Sequence, residues 1–400
     1  MVACLSAEET TCLPKWGLAG RPETTIGLNR SHEEREIELL STLREQTGAA
    51  FRKVVVATVV VVLLSYLVSM ALGLFLLYRS PQGLDAASRL VAELPLSLFM
   101  IANFSIPMGA HVGVFFLAIW LLYVAAFFLA WSDPPAFPAS IRKAVGEASL
   151  TRSNYLFVLP QLATIVLVAI VLLQSLQESA GVQTGGLSFE NPVLGFLSIS
   201  YAPFVEELSF RITTIGLLDG FYFVWRTRRH SHYESTKGAL RLLAIAMWKP
   251  ERAKELLGFR TIRDHGVRGI SRLEWVALVL TSGAFGAAHY LYGGGWDIGK
   301  ISTAMVSGLA LGYVYLRYGA YAPVLLHWFF NYYFGAFDLA SQLKTPGAGM
   351  LATGIDLLSF GAGTIFAAGL VVTHLARLGS VRSQRSLVKR TYIGDSPNVS

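Results

Sequence analysis

Long apolar runs are the feature of this sequence that most restricts its fold. The clearest of them, residues 54–78, contains no charged side chain. An α-helix needs about 20 apolar residues to cross about 30 Å of hydrocarbon, so this run can span a membrane. Of all residues 53% are hydrophobic and 15% are charged, which is typical of a membrane protein. We therefore predict an all-α polytopic transmembrane helical bundle of about eight spans, the others being residues 112–131, 155–173, 193–218, 274–291, 301–316, 321–339 and 357–375.

One further apolar stretch, residues 94–108, is too short for a regular span. It also contains Pro95 and Pro107, and proline disrupts the interior of a helix. We therefore expect a re-entrant or interfacial segment here rather than a ninth span. Counting it as a span would invert the orientation of every span that follows.

Lysine and arginine are concentrated in every second connection between the predicted spans. They occur in residues 1–53, between the second and third spans, in residues 225–272 and after residue 375. Cytoplasmic loops carry this excess of positive charge, so we predict a multi-pass integral membrane protein with both termini cytoplasmic. The net charge of +7 is thus explained by loops beside the lipid bilayer, and we expect no nucleic-acid partner.

These assignments divide the chain into four parts. Residues 1–53 form a cytoplasmic tail with a short amphipathic helix that begins at a Ser31 cap. Residues 54–191 hold the first three spans. Residues 192–340 form a core that a basic cytoplasmic segment, residues 225–272, interrupts. Residues 341–400 contain the last span and a basic tail.

The predicted fourth span contains three charged side chains, Glu206, Glu207 and Arg211. A charged residue at the centre of a membrane helix costs roughly 2.5 to 3.5 kcal/mol and therefore suggests a function. Glu207 and Arg211 are four residues apart, so they share a helix face and can form an ion pair. Glu206 is rotated away by about 100°. The spacing therefore predicts one paired carboxylate and one that is free to do chemistry.

Two later spans add polar groups at the same spacing. Phe285 and His289 lie in the fifth span, and His327 and Asn331 in the seventh. A single histidine in a span is more often a hydrogen-bonded contact between helices than a catalyst. Carboxylates, two imidazoles and a carboxamide together are the groups of a hydrolase that activates water.

The predicted depths of these groups disagree. Counted at about 1.5 Å per residue from the cytoplasmic ends of their helices, Glu206 and His289 lie near the middle of the membrane, whereas His327 lies only about 9 Å from Tyr321. Either a helix boundary is misplaced or the helices are strongly tilted.

Three motifs in order resemble the CAAX prenyl protease and bacteriocin-processing family, the type II CAAX endopeptidase-like intramembrane proteases. They are Glu-Glu-x-x-x-Arg from Glu206 to Arg211, Phe-x-x-x-His from Phe285 to His289, and His-x-x-x-Asn from His327 to Asn331. The resemblance covers residues 192–333. Residues 225–272 look like an insertion between the first two motifs, for which lipid binding, substrate docking and regulation all stay open.

The resemblance implies a metal-independent glutamate protease without a cofactor. It makes Glu206 the base that activates water together with His289, and it makes His327 and Asn331 donors to the tetrahedral oxyanion. Glu207 and Arg211 would support the site, and Phe285 would pack beside it. The implied substrate is a membrane-associated peptide or lipidated protein, and the family name suggests prenylated CAAX tails.

Two other functions are open. One glutamate and two histidines could bind zinc, with Glu207 or Asn331 as a further ligand, although the sequence has no His-Glu-x-x-His motif. The polar groups could also serve a non-enzymatic membrane binding protein, a transporter, or a bacteriocin-immunity protein.

The charge distribution makes a testable prediction about topology. Reporter domains fused to either terminus should both report the cytoplasmic side, because the basic segments alternate with non-basic ones. A result that places the two termini on opposite sides would exclude an even number of spans.

Overall fold

The computed structural model describes residues 26–146, 154–227, 236–292 and 294–393. Contacts divide the chain into two units, Met1–Phe51 and Arg52–Ser400. All of the predicted site residues belong to the second unit. The first 25 residues of the predicted N-terminal tail, residues 228–235 of the basic segment and the last seven residues of the chain lie outside the described part.

Helices make up most of the described chain. The first half contains a β-hairpin among its helices, and the second half contains two π-helical segments, π1 and π2. In chain order the elements are α1 (Ile26–Arg79), α2 (Pro81–Ser88), β1 (Leu90–Leu98), β2 (Ala102–His111), α3 (Val112–Ser132), α4 (Phe137–Gly146), α5 (Tyr155–Ser179), α6 (Pro192–Glu207), π1 (Leu208–Ile215), α7 (Gly216–Thr227), α8 (Thr236–Trp248), α9 (Pro250–Leu256), α10 (Ile262–His265), a 3₁₀ turn (Gly266–Gly269), α11 (Arg272–Tyr292), α12 (Gly299–Tyr318), α13 (Tyr321–Trp328), π2 (Phe329–Tyr333), α14 (Phe334–Gln342) and α15 (Ala348–Ile393).

Five helical stretches of the described chain are long and apolar enough to cross a membrane, which supports an integral membrane protein. They are Gln46–Arg79, Val112–Ser132, Tyr155–Ser179, Pro192–Thr227 and Ala348–Val372. The other three predicted spans also coincide with helical segments, α11, α12 and α13–π2–α14. These three do not reach the same length and hydropathy, so the number eight stays a prediction.

The predicted short amphipathic helix is not a separate element. Helix α1 begins at Ile26 and continues without interruption to Arg79, so Ser31 does not cap a helix. No proline occurs between these two ends, so nothing in the sequence stops the helix between the predicted tail and the first span.

The mainly helical architecture agrees with the predicted all-α bundle, and the expected re-entrant or interfacial segment, residues 94–108, lies in a β-hairpin instead of a helix. Strands β1 and β2 pair antiparallel, with Leu90 opposite His111 and Leu98 opposite Ala102. Both strands of a two-stranded sheet are edge strands, and edge positions tolerate the prolines that a helix would not. The stretch is therefore not a helical span, as the prolines indicated.

The tip of the hairpin is fixed by contacts with π1. Phe99 and Met100 have positive φ angles of 55° and 66°, which are unfavourable for residues with a side chain. Their backbone N–H groups donate to Thr213 Oγ1 at 3.0 Å and to Ser209 Oγ at 2.9 Å. The hairpin therefore packs directly against the segment that follows Glu206 and Glu207.

Helix α13 lies at the centre of the second unit. All eight of its residues are buried, as expected for a helix that is surrounded on every side. Aromatic rings surround the end of α13 and the start of π2: the Tyr66 ring lies 5.2 Å from that of Trp328 and 5.0 Å from that of Tyr333. His327 therefore lies in a buried, aromatic part of the fold.

The start of α13 explains the disagreement over depth. Tyr321 is buried, and the backbone N–H of the preceding residue, Ala320, donates to the Trp248 carbonyl at the end of α8. The basic segment thus covers this helix start. Because the start of α13 is buried under the basic segment, a count of residues from Tyr321 does not give the depth of His327 in a membrane.

The described part of residues 225–272 packs onto the bundle through buried charges. Lys254 Nζ lies 2.5 Å from Glu274 Oε1 of α11, and the two side chains are 2% and 1% exposed. Lys254 also donates to the Gly269 carbonyl at 2.9 Å. An ion pair of this kind requires a fixed, well-packed environment, so the segment is an integral part of the fold.

This ion pair makes a prediction about stability. Lys254→Met should lower the free energy of unfolding by about 3 to 5 kcal/mol, because it leaves the Glu274 carboxylate buried without a counter-charge. Arg252→Met is the matched control, since Arg252 is 59% exposed in its pair with Glu255 and should cost less than about 1 kcal/mol. Thermal unfolding of the purified protein in detergent measures both, and equal losses would contradict the prediction.

Candidate active site

Five elements of the second unit carry the predicted site residues. Glu206 and Glu207 are the last two residues of α6, and Arg211 lies in π1. Phe285 and His289 lie in the second half of α11. His327 lies near the end of α13, and Asn331 lies in π2.

Glu207 links two of these parts through one oxygen. Its Oε1 accepts hydrogen bonds from Arg211 Nη1 at 3.2 Å and from His327 Nδ1 at 2.8 Å. The Glu207 and Arg211 side chains are both fully buried, and Arg211 Nη2 also donates to the Gly308 carbonyl of α12 at 3.3 Å. The structure thus contains the ion pair that the spacing predicts, and adds His327 as a third member.

Glu206 has a different environment from its neighbour. Its Oε2 lies 3.7 Å from His327 Nε2, too far for a hydrogen bond. This oxygen is buried and makes no hydrogen bond with any residue that the structure describes. Glu206 is therefore the carboxylate without a fixed partner, next to an imidazole whose other nitrogen contacts Glu207.

His289 is held by the backbone of its own helix. Its Nδ1 lies 2.8 Å from the carbonyl oxygen of Phe285. A carbonyl can only accept, so Nδ1 carries the hydrogen, and Nε2 of the neutral ring keeps a lone pair. The His289 ring lies on the Phe285 ring, which also faces the His327 ring, so His289 belongs to the same group of side chains.

Phe285 packs at the centre of these charged and polar groups. Its ring centroid lies 4.6 Å from that of His289 and 5.8 Å from that of His327. The guanidinium carbon of Arg211 lies 4.4 Å from the same ring, a cation–π contact. The ring therefore packs against the Arg211 guanidinium and lies beside both histidines.

Asn331 contacts the backbone of α6. Its Nδ2 donates to the Ile199 carbonyl at 3.0 Å, and the side chain is partly buried. A carboxamide has two N–H bonds, so one remains for another acceptor. In the described part of the chain, Asn331 makes no hydrogen bond with Glu206 or with either histidine.

Two π-helical segments begin inside the first and third motifs. Segment π1 begins after Glu207, and π2 begins after Trp328. In such a segment the backbone bonds reach five residues back, which widens the helix and occurs most often at functional sites. The widened turns change which residues share a helix face. The i, i+4 rule of a regular α-helix therefore does not determine the side-chain directions of Arg211 and Asn331.

One residue near the site was missed by the motif search. Lys300, at the start of α12, interacts electrostatically with both Glu206 and His289. The sequence does contain a sign of it. Lys300 ends the glycine-rich connection after His289, and this connection belongs to the set of predicted loops that contain few basic residues.

The zinc alternative requires at least three ligands directed at one point. Among the described residues, no group of three or more histidine, cysteine, aspartate or glutamate side chains is arranged in this way. Glu207 Oε1 already accepts two hydrogen bonds, and His327 Nδ1 donates one of them. Metal independence stays a proposal that chemistry has to test.

The two glutamates should respond differently to substitution. Glu207→Gln leaves the buried Arg211 without a counter-charge and should lower the unfolding free energy by about 3 to 5 kcal/mol. Glu206→Gln is the matched control, because its side chain is 29% exposed and its Oε2 has no hydrogen bond to lose. Thermal unfolding in detergent compares them, and an equally unstable Glu206 variant would contradict this division.

Comparison with known proteins identifies one family. Residues 188–333 match the family model described as type II CAAX prenyl endopeptidase Rce1-like. No curated protein and no solved structure matches the chain significantly. The matched residues contain all three motifs and the whole basic segment between the first two. The resemblance to the type II CAAX endopeptidases that the motifs indicate is therefore confirmed for residues 188–333.

Proposed function

We propose that this chain is a membrane endopeptidase that cleaves a membrane-associated substrate of the CAAX type with a water molecule activated by Glu206. The family match supports peptide hydrolysis, and the five apolar helices support an active site in or near a membrane. Bilayer lipids and a peptide or lipidated protein are then the natural partners.

The observation that carries this proposal is the contrast between the two adjacent glutamates. Glu207 is paired with the Arg211 cation and accepts two hydrogen bonds through Oε1, whereas Glu206 makes no hydrogen bond with any described residue and its Oε2 is buried. Burying even one carboxylate oxygen without a partner is costly. A catalytic base justifies that cost, because it needs a free lone pair directed at its substrate.

Hydrolysis at this site takes place in two steps. Water attacks the carbonyl carbon of the scissile bond while Glu206 takes one of its protons, and His289 Nε2 accepts a hydrogen bond that orients the water. The resulting tetrahedral oxyanion collapses, the C–N bond breaks, and the proton on Glu206 is transferred to the leaving amine. The products are a carboxylic acid and an amine.

His327 and Asn331 would stabilise the oxyanion. His327 donates through Nδ1 to Glu207, and its Nε2 can donate towards the reacting atoms when that nitrogen also carries a hydrogen. Asn331 has one N–H bond beyond the one that it donates to Ile199. Removing one such donor from a site of this type costs about 2.7 to 4 kcal/mol in the transition state.

Cleavage of a prenylated CAAX peptide by the purified full-length protein tests the proposal. Glu206→Gln and His289→Ala should each lower kcat by about 10² to 10⁴-fold, the usual contribution of acid–base groups, without changing the unfolding temperature. Glu190→Gln, an exposed glutamate in the connection before α6, is the matched control and should keep full activity.

The alternatives predict other results. If both variants still cleave, the roles given to Glu206 and His289 are wrong. If the protein contains stoichiometric zinc and a chelator removes both zinc and activity, the metal-independent mechanism is wrong. If the wild type cleaves nothing across a broad peptide library, a non-enzymatic binding or immunity function replaces the proposal.

A further inference from the structure

Lys300 is a cation next to the candidate active site that the mechanism does not use. It is the second residue of α12, which packs against the helix that carries His289. The negative charge that acts on it is that of Glu206. Within the described part of the chain, no carboxylate lies within ion-pair distance of Lys300 Nζ, and this atom donates no hydrogen bond.

The surroundings of Lys300 are aromatic and partly dry. Its Nζ lies 3.7 Å from the centroid of the Trp296 ring, which stabilises the cation without neutralising it. Burial lowers the pKa of Lys300 to about 8, against the opposing effect of Glu206. A partly dehydrated ammonium group of this kind gains more from an anionic partner than an exposed lysine does.

Two loops hold Lys300 in place. The backbone of Gly185 forms an antiparallel bridge with Trp296, and the Gly299 N–H donates to the Gln183 carbonyl at 2.9 Å. A Cβ atom at position 299 would lie 2.6 Å from the Gln183 carbonyl oxygen, so these two backbone segments can come this close only because residue 299 is glycine. The start of α12 is therefore fixed against a second part of the chain, as a binding group needs.

The proposed substrate class provides an anion near the scissile bond. A CAAX box is the C-terminal end of its protein. Each peptide bond that follows its cysteine is therefore at most about three residues from the free α-carboxylate of the chain end. Three extended residues cover about 10 Å, so this carboxylate remains close to the active site during cleavage.

We infer that Lys300 binds the C-terminal carboxylate of the substrate and so selects peptides whose chain ends shortly after the cleaved bond. The inference rests on the proposed endopeptidase function. It explains why a cation without an acidic partner is placed beside the site of a carboxylate base. It also makes Lys300 a residue that determines specificity, distinct from the groups that activate water.

The test compares two prenylated peptides that differ only in ending with a carboxylate or a carboxamide. The wild type should cleave the carboxylate form with a kcat/KM about 10 to 100-fold higher, the effect of one good charge-assisted contact. Lys300→Met should remove this preference mainly through a higher KM for the carboxylate form. Activity on the carboxamide form should change little.

Two further variants separate charge from structure. Lys300→Arg keeps the positive charge and should retain most of the preference, although its geometry differs. Lys237→Met removes an exposed lysine of α8 and should leave both activities unchanged. If Lys300→Met keeps the preference, or lowers both activities equally, the inference is wrong.

An anionic lipid headgroup could also bind Lys300, and a second experiment distinguishes it from the substrate carboxylate. The assay is repeated in vesicles of phosphatidylcholine alone and of phosphatidylcholine with phosphatidylglycerol. An effect of Lys300→Met that appears only with the anionic lipid, and equally for both peptides, would assign Lys300 to a headgroup and overturn the inference.

If the wild type cleaves neither peptide, the proposed function itself fails. Cleavage without a carboxylate preference refutes only the role of Lys300.

Discussion

The carboxylate of Glu207 is the interaction on which the rest of the site depends. One oxygen accepts hydrogen bonds from Arg211 and from His327, and Arg211 in turn reaches the Gly308 carbonyl of α12. Helices α6, α12 and α13 are thereby joined by a fully buried set of polar contacts. Because burying these charges is costly unless they are paired, these contacts favour the observed packing of the three helices. Because Glu206 directly precedes Glu207 in α6, these contacts also fix the position of the Glu206 carboxylate next to His327.

The two π-helical segments direct Arg211 and Asn331 differently from a regular α-helix, and contacts with neighbouring residues support these segments. Each begins within two residues of a motif residue, π1 after Glu207 and π2 after Trp328. The Oγ1 atom of Thr213 accepts the N–H of Phe99 while it donates to the Leu208 carbonyl. Side chains and the neighbouring hairpin thus satisfy backbone groups that the widened turn exposes. A regular helix would need no such support.

The two unexpected pieces of the fold both brace the helices of the site. The β-hairpin contacts π1 through Ser209 and Thr213. The basic segment covers the start of α13, where Tyr315 of α12 also donates to the Met247 carbonyl at 2.8 Å. Its buried Lys254–Glu274 pair attaches it to α11. Although its sequence reads as a solvated cytoplasmic loop, its buried charges make it part of the scaffold that holds His289 and His327.

The sequence by itself indicated the membrane class, the approximate positions of the long apolar helices and the three motifs, because hydrophobic run length and i, i+4 spacing are local properties. It also predicted that Glu207 pairs with Arg211 and that Glu206 does not. Only the tertiary structure decided that His327 joins that pair, because this contact crosses 120 residues. The hairpin, the π-helical turns and the place of Lys300 also depend on non-local packing. Local spacing indicates which side chains share a helix face, but not which other helix that face meets.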